Sequence, residues 1–362
     1  MMTKATKMSW PAGVLGALLS LALLGGCALG HSQAPTDEAS QKAATTPEAQ
    51  SDIDFMVLVN KTHPLPAGWE DAVNLAHFTN SEGWDVDVEQ TAYNAYLELK
   101  EDLEAEGVYV DLDSAFRSTQ EQQRIVDDFT AKYGPEYVKQ YVAAPGYSEH
   151  HTGLALDLFL IIDGKGVYEN EDMVTYPEVW KKIHAKLADH GFILRYLPGK
   201  KIETGASYEP WHIRYVNDVQ VAHKIMDEGI TLERYLGALD PAVAECVVDY
   251  GNSTVYSEFD MDSALDPILA EFGGWAGCSL KSLTFAGDAV CAEELAHANS
   301  LRAEEMGEFT QAILFTSVLH SPSAELCEGT AWQPDTDYND YKWLLARRGT
   351  DDSGQLLTWG LG

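Results

Sequence analysis

Ser148-Glu149-His150-His151-Thr152-Gly153-Leu154-Ala155-Leu156-Asp157 is the stretch from which the rest of the chain can be read. Its apolar continuation to Leu160 predicts a strand, with His150 on the glycine-flanked loop that enters it and Asp157 projecting from the strand itself. Downstream, Glu209-Pro210-Trp211-His212 supplies a second imidazole with a carboxylate three residues before it. Pro210 excludes an ordinary helix interior, and Trp211 to Val216 alternates as a strand does, so this is not the helical H-E-x-x-H arrangement. Upstream, Ser114-Ala115-Phe116-Arg117-Ser118 adds a cation.

These residue types together suit a catalytic divalent metal. Zinc takes three protein ligands from His and Asp or Glu and keeps a fourth position for water, whose pKa then falls toward neutrality. His150, Asp157 and His212 fill the three places, and Glu209 is placed to act as general base toward that water. Taken singly, each would be an ordinary surface or hydrogen-bonded residue; the joint pattern carries the reading. His151 competes as a ligand, but neighbouring side chains on an extended segment point opposite ways, so it is expected behind the ligands or facing solvent. The other histidines, such as His63, His77, His184, His190, His223, His297 and His320, have no such context.

The words S-E-H-x-x-G-L-A-x-D and E-P-W-H, in this order, resemble those of the VanY-type D-alanyl-D-alanine carboxypeptidases, zinc peptidases that trim peptidoglycan stem peptides. The similarity runs from Asp54-Phe55-Met56-Val57-Leu58-Val59-Asn60-Lys61 to the neighbourhood of Leu236. It implies one catalytic zinc on His150, Asp157 and His212, with Glu209 as base. Arg117, in Phe-Arg-Ser where the family more often has Tyr-Arg-Ser, is implied to bind the substrate's terminal carboxylate, and Ser118, Gln122 and Ser148 to line the pocket. The implied reaction removes terminal D-alanine. Two alternatives are an L,D-carboxypeptidase acting on tetrapeptide stems with the same metal site, and a non-catalytic wall-binding lipoprotein, which would have to lack a ligand or the base.

Lys4 and Lys7 precede an apolar run, Val14 to Leu24, too short to span a bilayer comfortably and suited to a secretory signal. Leu24-Gly25-Gly26-Cys27 resembles the bacterial lipobox, which implies cleavage before Cys27 and acylation there. Residues 28–51, rich in Ala, Ser, Thr, Gln and Pro, read as a flexible tether. The expectation is an exported protein of the bacterial cell envelope, lipid-anchored to the membrane and not spanning it. The organisation is then signal peptide 1–26, lipidated Cys27 and tether 27–51, catalytic domain 52–239 and accessory domain 240–362.

With 57 acidic against 24 basic residues and a formal net charge of -33, the chain is not built for nucleic acid, whose phosphates require clustered Lys and Arg. The fold class is α+β: helices over Thr91–Glu106, Thr119–Tyr133 and Pro177–His190, strands over Val108–Phe116 and Phe192–Leu197, a small antiparallel sheet flanked by helices. The accessory domain, a smaller α+β unit, is expected to have helices near Pro241–Tyr250 and Ala264–Phe272 and strands near Ala312–Leu319 and Tyr341–Ala346. Gly277-Cys278-Ser279-Leu280-Lys281-Ser282-Leu283 resembles small accessory domains of bacterial lipoproteins, cystatin-like or NTF2-like. It holds Cys246, Cys278, Cys291 and Cys327, an even set that suggests two disulfides in an exported protein, with pairing open. A structural zinc competes, but there is no C-x-x-C pair. Trp275, Trp332, Trp343 and Trp359 suit either sugar stacking or a core. Oligomeric state is not legible.

Overall fold

In this computed structural model, residues 53–135, 138, 142–349 and 354–361 are described. The leader, Cys27 and the whole of the tether lie outside the described residues. Among those described, no helix is long and apolar enough to cross a membrane.

After a single helical turn, Trp69–Ala72, the first half forms a hairpin, β1 (Leu75–Thr79) and β2 (Asp85–Glu89). Glu89 then caps the helix Gln90–Ala105, its carboxylate accepting from the amides of Thr91 and Ala92 at 2.8 and 2.9 Å. That helix buries Ala92, Tyr96, Leu99 and Leu103, a single helical face, against the sheet behind it. The sheet is β3 (Val110–Ser114), β4 (Ala155–Ile162), β7 (His212–Tyr215) and β6 (Phe192–Leu194) in that order, with β5 (Lys165–Val167) paired to the far end of β4. All its pairings are antiparallel. The helix Thr119–Tyr133 starts where the sequence places it, because Ser118 and Glu121 form a reciprocal capping box. The helix Pro177–Leu187 has Pro177 in its first turn and tightens into a 3-10 turn over Ala188–His190, so the expected helix changes type only in its last turn.

The second half is a five-stranded sheet in the order β12 (Gln355–Leu361), β11 (Asp337–Arg347), β10 (Gln311–His320), β9 (Ser279–Phe285), β8 (Val247–Asp249). Only the β8 and β9 pairing is parallel. Helices Glu258–Phe272 and Asp288–Met306 complete this half, and the core between includes Met261, Leu265, Ile268, Phe315 and Trp343. The helix expected near Pro241–Tyr250 is instead a turn followed by β8, since Val247 and Val248 find a ready partner in β9, and β-branched residues follow such tertiary offers. The helix expected from Ala264 begins at Glu258, where Ser257 and Asp260 make a second capping box, and carries Pro267 inside it.

The cysteines require a correction. Cys246, Cys278, Cys291 and Cys327 are all buried free thiols. Each is used as a small apolar side chain: the Cys291 sulfur accepts from the Leu314 amide at 3.2 Å and the Cys327 thiol donates to the Pro322 carbonyl at 3.3 Å. Burial pushes the Cys246 thiol up to about 12 and that of Cys291 to about 11. Of the tryptophans, Trp343 is wholly buried with Trp275 stacked on it, whereas Trp359 is exposed.

Candidate metal centre

Antiparallel pairing sets Asp157 of β4 directly opposite His212 of β7, so two of the three candidate ligands are neighbours by register. His150 stands on the 3-10 turn Glu149–Thr152, just before β4. Gly153 ends that turn at φ +72°, where a Cβ would come within 3.2 Å of the Glu89 amide nitrogen and 3.3 Å of Leu75, so glycine is required for the turn to seat on β2. The ligand atoms of His150, Asp157 and His212 all lie within 4.8 Å of one another. His150 Nε2 is 3.1 Å from Asp157 Oδ2, and His212 Nδ1 is 2.9 Å from Asp157 Oδ1. The two rings are nearly perpendicular and both are buried.

The outer nitrogen of each ring is held so that the inner one faces the centre. His150 Nδ1 lies 2.7 Å from the Ala115 carbonyl, which can only accept, so the proton sits there and Nε2 presents a lone pair. His212 Nε2 pairs with Glu149 Oε2 at 3.1 Å, leaving Nδ1 inward. Asp157 Oδ1 is buried yet takes no properly directed hydrogen bond despite its closeness to His212. Two imidazole nitrogens and an orphaned carboxylate oxygen aimed at one point fit a borderline divalent cation.

Behind the ligands lies a charged network that sequence reasoning missed. Glu149, fully buried, accepts from Arg195 Nε at 2.7 Å and Arg214 Nη1 at 2.8 Å as well as from His212. Arg195 also forks onto Glu233 at 2.9 and 2.6 Å, and Arg214 donates to the carbonyls of Phe55 and Val57, both at 2.9 Å. Burial pushes the Glu149 carboxyl up, but the two guanidiniums overwhelm that and hold it well below the usual range. Glu149 stands inside the quoted S-E-H word; Arg195 and Glu233 carry no sequence signal.

Glu209 lies on the turn entering β7, its Oε2 3.8 Å from His212 Nδ1. Burial, helped by Asp157 and Glu149 and opposed by His212, pushes it up to about 7. His212 moves the other way from what burial alone would do: the Asp157 and Glu149 carboxylates raise it to about 10, while burial keeps His150 low and neutral. Arg117 is fixed by Gln122 Oε1 at 3.0 Å and Ser114 Oγ at 3.2 Å, and Gln122 in turn donates to the Ala143 carbonyl at 2.7 Å. Gln122 thus steadies Arg117. The Ser118 hydroxyl is engaged in the capping box with Glu121, and Ser148, buried, heads the 3-10 turn without a side-chain hydrogen bond to it. His151 is fully buried, bonding the Arg117 carbonyl at 2.6 Å and the Gly146 amide at 3.0 Å, so of its two expected placements it takes the one behind the site. A further carboxylate, Asp113, is the extra residue of a β-bulge, since Leu112 pairs Leu158 and Ser114 pairs Asp157. Burial and the nearby Asp157 and Glu169 push it up to about 6 against the pull of Arg117. No motif points to it.

A family profile described as VanY: D-alanyl-D-alanine carboxypeptidase matches residues 85–218. The chain is 36% identical over 191 residues to a D-alanyl-D-alanine carboxypeptidase of Enterococcus faecalis, an alignment covering 50% of this chain and 65% of that protein. It is 35% identical to the bifunctional D-Ala-D-Ala dipeptidase and D-Ala-D-Ala carboxypeptidase VanXYC of Enterococcus gallinarum, covering 51% of this chain and 94% of that one. Among solved structures, a vancomycin-resistance D,D-pentapeptidase VanY in complex with Zn(II) is 34% identical, with a TM-score of 0.43 over 50% of this chain and 98% of that one. The matched stretch 85–218 contains the three candidate ligands and Glu209, and with 35% identity over 94% of the Enterococcus gallinarum protein the chain belongs to the VanY family of D-alanyl-D-alanine carboxypeptidases.

Proposed function

We propose that the chain is a zinc-dependent D,D-carboxypeptidase that removes the terminal D-alanine from peptidoglycan stem peptides. The observation that carries this reading is the convergence of His150, Asp157 and His212 within 4.8 Å, with Glu209 beside them. Family membership and the printed activities of the enterococcal relatives support it. Zinc, held by His150, Asp157 and His212, would supply Lewis acidity for the scissile carbonyl and for the attacking water. Arg117, held in place by Gln122 and Ser114, pairs bidentately with the substrate's free carboxylate and so fixes which peptide bond is presented. Glu209 takes a proton from the attacking water and returns it to the leaving amine of D-alanine. Glu149 and the Ala115 carbonyl keep both imidazoles oriented throughout.

The test is D-alanine release from a D-Ala-D-Ala pentapeptide and from the corresponding tetrapeptide. Release from the pentapeptide that chelation and Glu209→Ala each abolish supports the assignment; activity on the tetrapeptide alone moves it to L,D-specificity, and none on either favours a wall-binding role.

The proposal extends to location. Lys4, Lys7, the apolar run to Leu24 and Leu24-Gly25-Gly26-Cys27 support export and lipid attachment at Cys27, with residues 52–239 catalytic and 240–362 accessory. Fatty-acid labelling of the expressed protein, lost in Cys27→Ala, checks it.

A further inference from the structure

Twelve residues separate Tyr196 from Glu209, and the loop they form closes on itself: the Glu209 amide donates to the Tyr196 carbonyl at 3.4 Å. The body of that loop is gripped by the second half of the molecule. On the helix Glu258–Phe272, the carboxylates of Glu258, Asp262 and Asp266 recur every four residues and share one face. Glu258 Oε1 accepts from the Gly199 amide at 3.0 Å, Asp262 Oδ2 from the Tyr208 amide at 3.4 Å, and Asp266 Oδ2 pairs with Lys201 Nζ at 2.8 Å. Lys201 is buried, and the next residue, Ile202, belongs to the core of the second half rather than the first. Asp262 is itself buried and anchored from behind by the Tyr250 hydroxyl. On the loop's other side, Glu203 accepts from Thr231 Oγ1 at 2.8 Å and from Arg234. Tyr208, whose amide Asp262 holds, is the residue immediately before Glu209.

We propose that the C-terminal half is a positioning module for the general base: the Glu258, Asp262 and Asp266 face fixes the loop 197–208, and thereby sets the Glu209 carboxylate against His212. The proposal rests on the reading of Glu209 as the base. Asp262 is a positioning residue, acting only through Glu209. A carboxylate displaced by a fraction of an ångström from the water it must deprotonate loses rate without losing substrate affinity, because Arg117, which holds the substrate, is anchored separately on Gln122 and Ser114.

The experiment is a double-mutant cycle in the full chain, reading kcat, KM and bound zinc on the D-Ala-D-Ala pentapeptide. Asp262→Ala is expected to lower kcat about tenfold with KM and zinc stoichiometry unchanged. Asp262→Asn, whose amide oxygen can still accept from Tyr208, should recover most of that loss. In a Glu209→Gln background, Asp262→Ala should have no further effect on the residual rate, whereas a merely structural defect would lower it again. Exposed Glu258→Ala, which endangers folding least, should lower kcat about twofold to fivefold by the same route. An active wild-type whose kcat survives both Asp262→Ala and Glu258→Ala, or additivity with Glu209→Gln, overturns this proposal alone. A wild-type with zinc bound but no activity overturns the reading of the site, and this proposal with it.

Discussion

Glu209 Oε2 and His212 Nδ1 stand 3.8 Å apart on one turn, and their surroundings raise the proton affinity of both. Each shift has a measurable consequence. At pH 8 Glu209, near 7, is ionised and His150 is neutral, but His212, near 10, still carries its extra proton. A cation must displace that proton from Nδ1, so zinc binding at pH 8 should release about one proton, and apparent affinity should rise about tenfold per pH unit until about pH 10. Calorimetric titration in two buffers of different ionisation enthalpy measures this; zero release would contradict it. The proposed role of Glu209 as base gives a second expectation. Glu209→Gln should cost roughly 10²–10⁴-fold in kcat while zinc content stays at the wild-type value, since the amide keeps the shape and cannot accept a proton.

At the scale of elements, the 3-10 turn Glu149–Thr152 does two tasks: it offers His150 to the centre and sends Glu149 inward to orient His212. Glu149→Ala leaves Arg195 and Arg214 facing a buried gap, and should destabilise the protein by about 3–5 kcal/mol in chemical denaturation. Glu149→Gln is the milder change, expected to weaken zinc binding by about 10–100-fold through a loosened imidazole. The helix Thr119–Tyr133 provides a separate test. Its Ser118 cap should be worth about 1 kcal/mol, so Ser118→Ala lowers stability by that amount and leaves KM within about twofold, provided the hydroxyl serves only the capping box. A large rise in KM would return Ser118 to the substrate pocket.

For the whole molecule, the two larger cores are joined through the loop 197–208; Cys246, Cys278 and Cys291 pack into the second one, and Cys327 is buried as a free thiol too. Thermal unfolding should therefore be unchanged by a reductant; a disulfide would show as a loss of about 2–4 kcal/mol on reduction. Legibility in the sequence followed chemistry and local periodicity. His150, Asp157, Glu209 and His212 were legible because metal chemistry restricts residue type and order, and the helix Thr119–Tyr133 because Ser118 and Glu121 cap it locally. The short strand β8 was not, since Val247 and Val248 pair with a β9 that lies some thirty residues on, and neither was the helix Asp288–Met306, whose apolar residues show little facial segregation. By itself, then, the sequence determined the candidate donor set, the carboxylate beside it and the start of the helix Thr119–Tyr133, because those depend on residue type and near neighbours. Only the tertiary structure decided that Glu149 and Arg195 stand behind the ligands, that Asp113 sits in a bulge of β3 near Asp157, that the thiols are free, and that the second half grips the loop before Glu209. Those contacts join residues far apart in the chain, and burial, not sequence spacing, determines their energy.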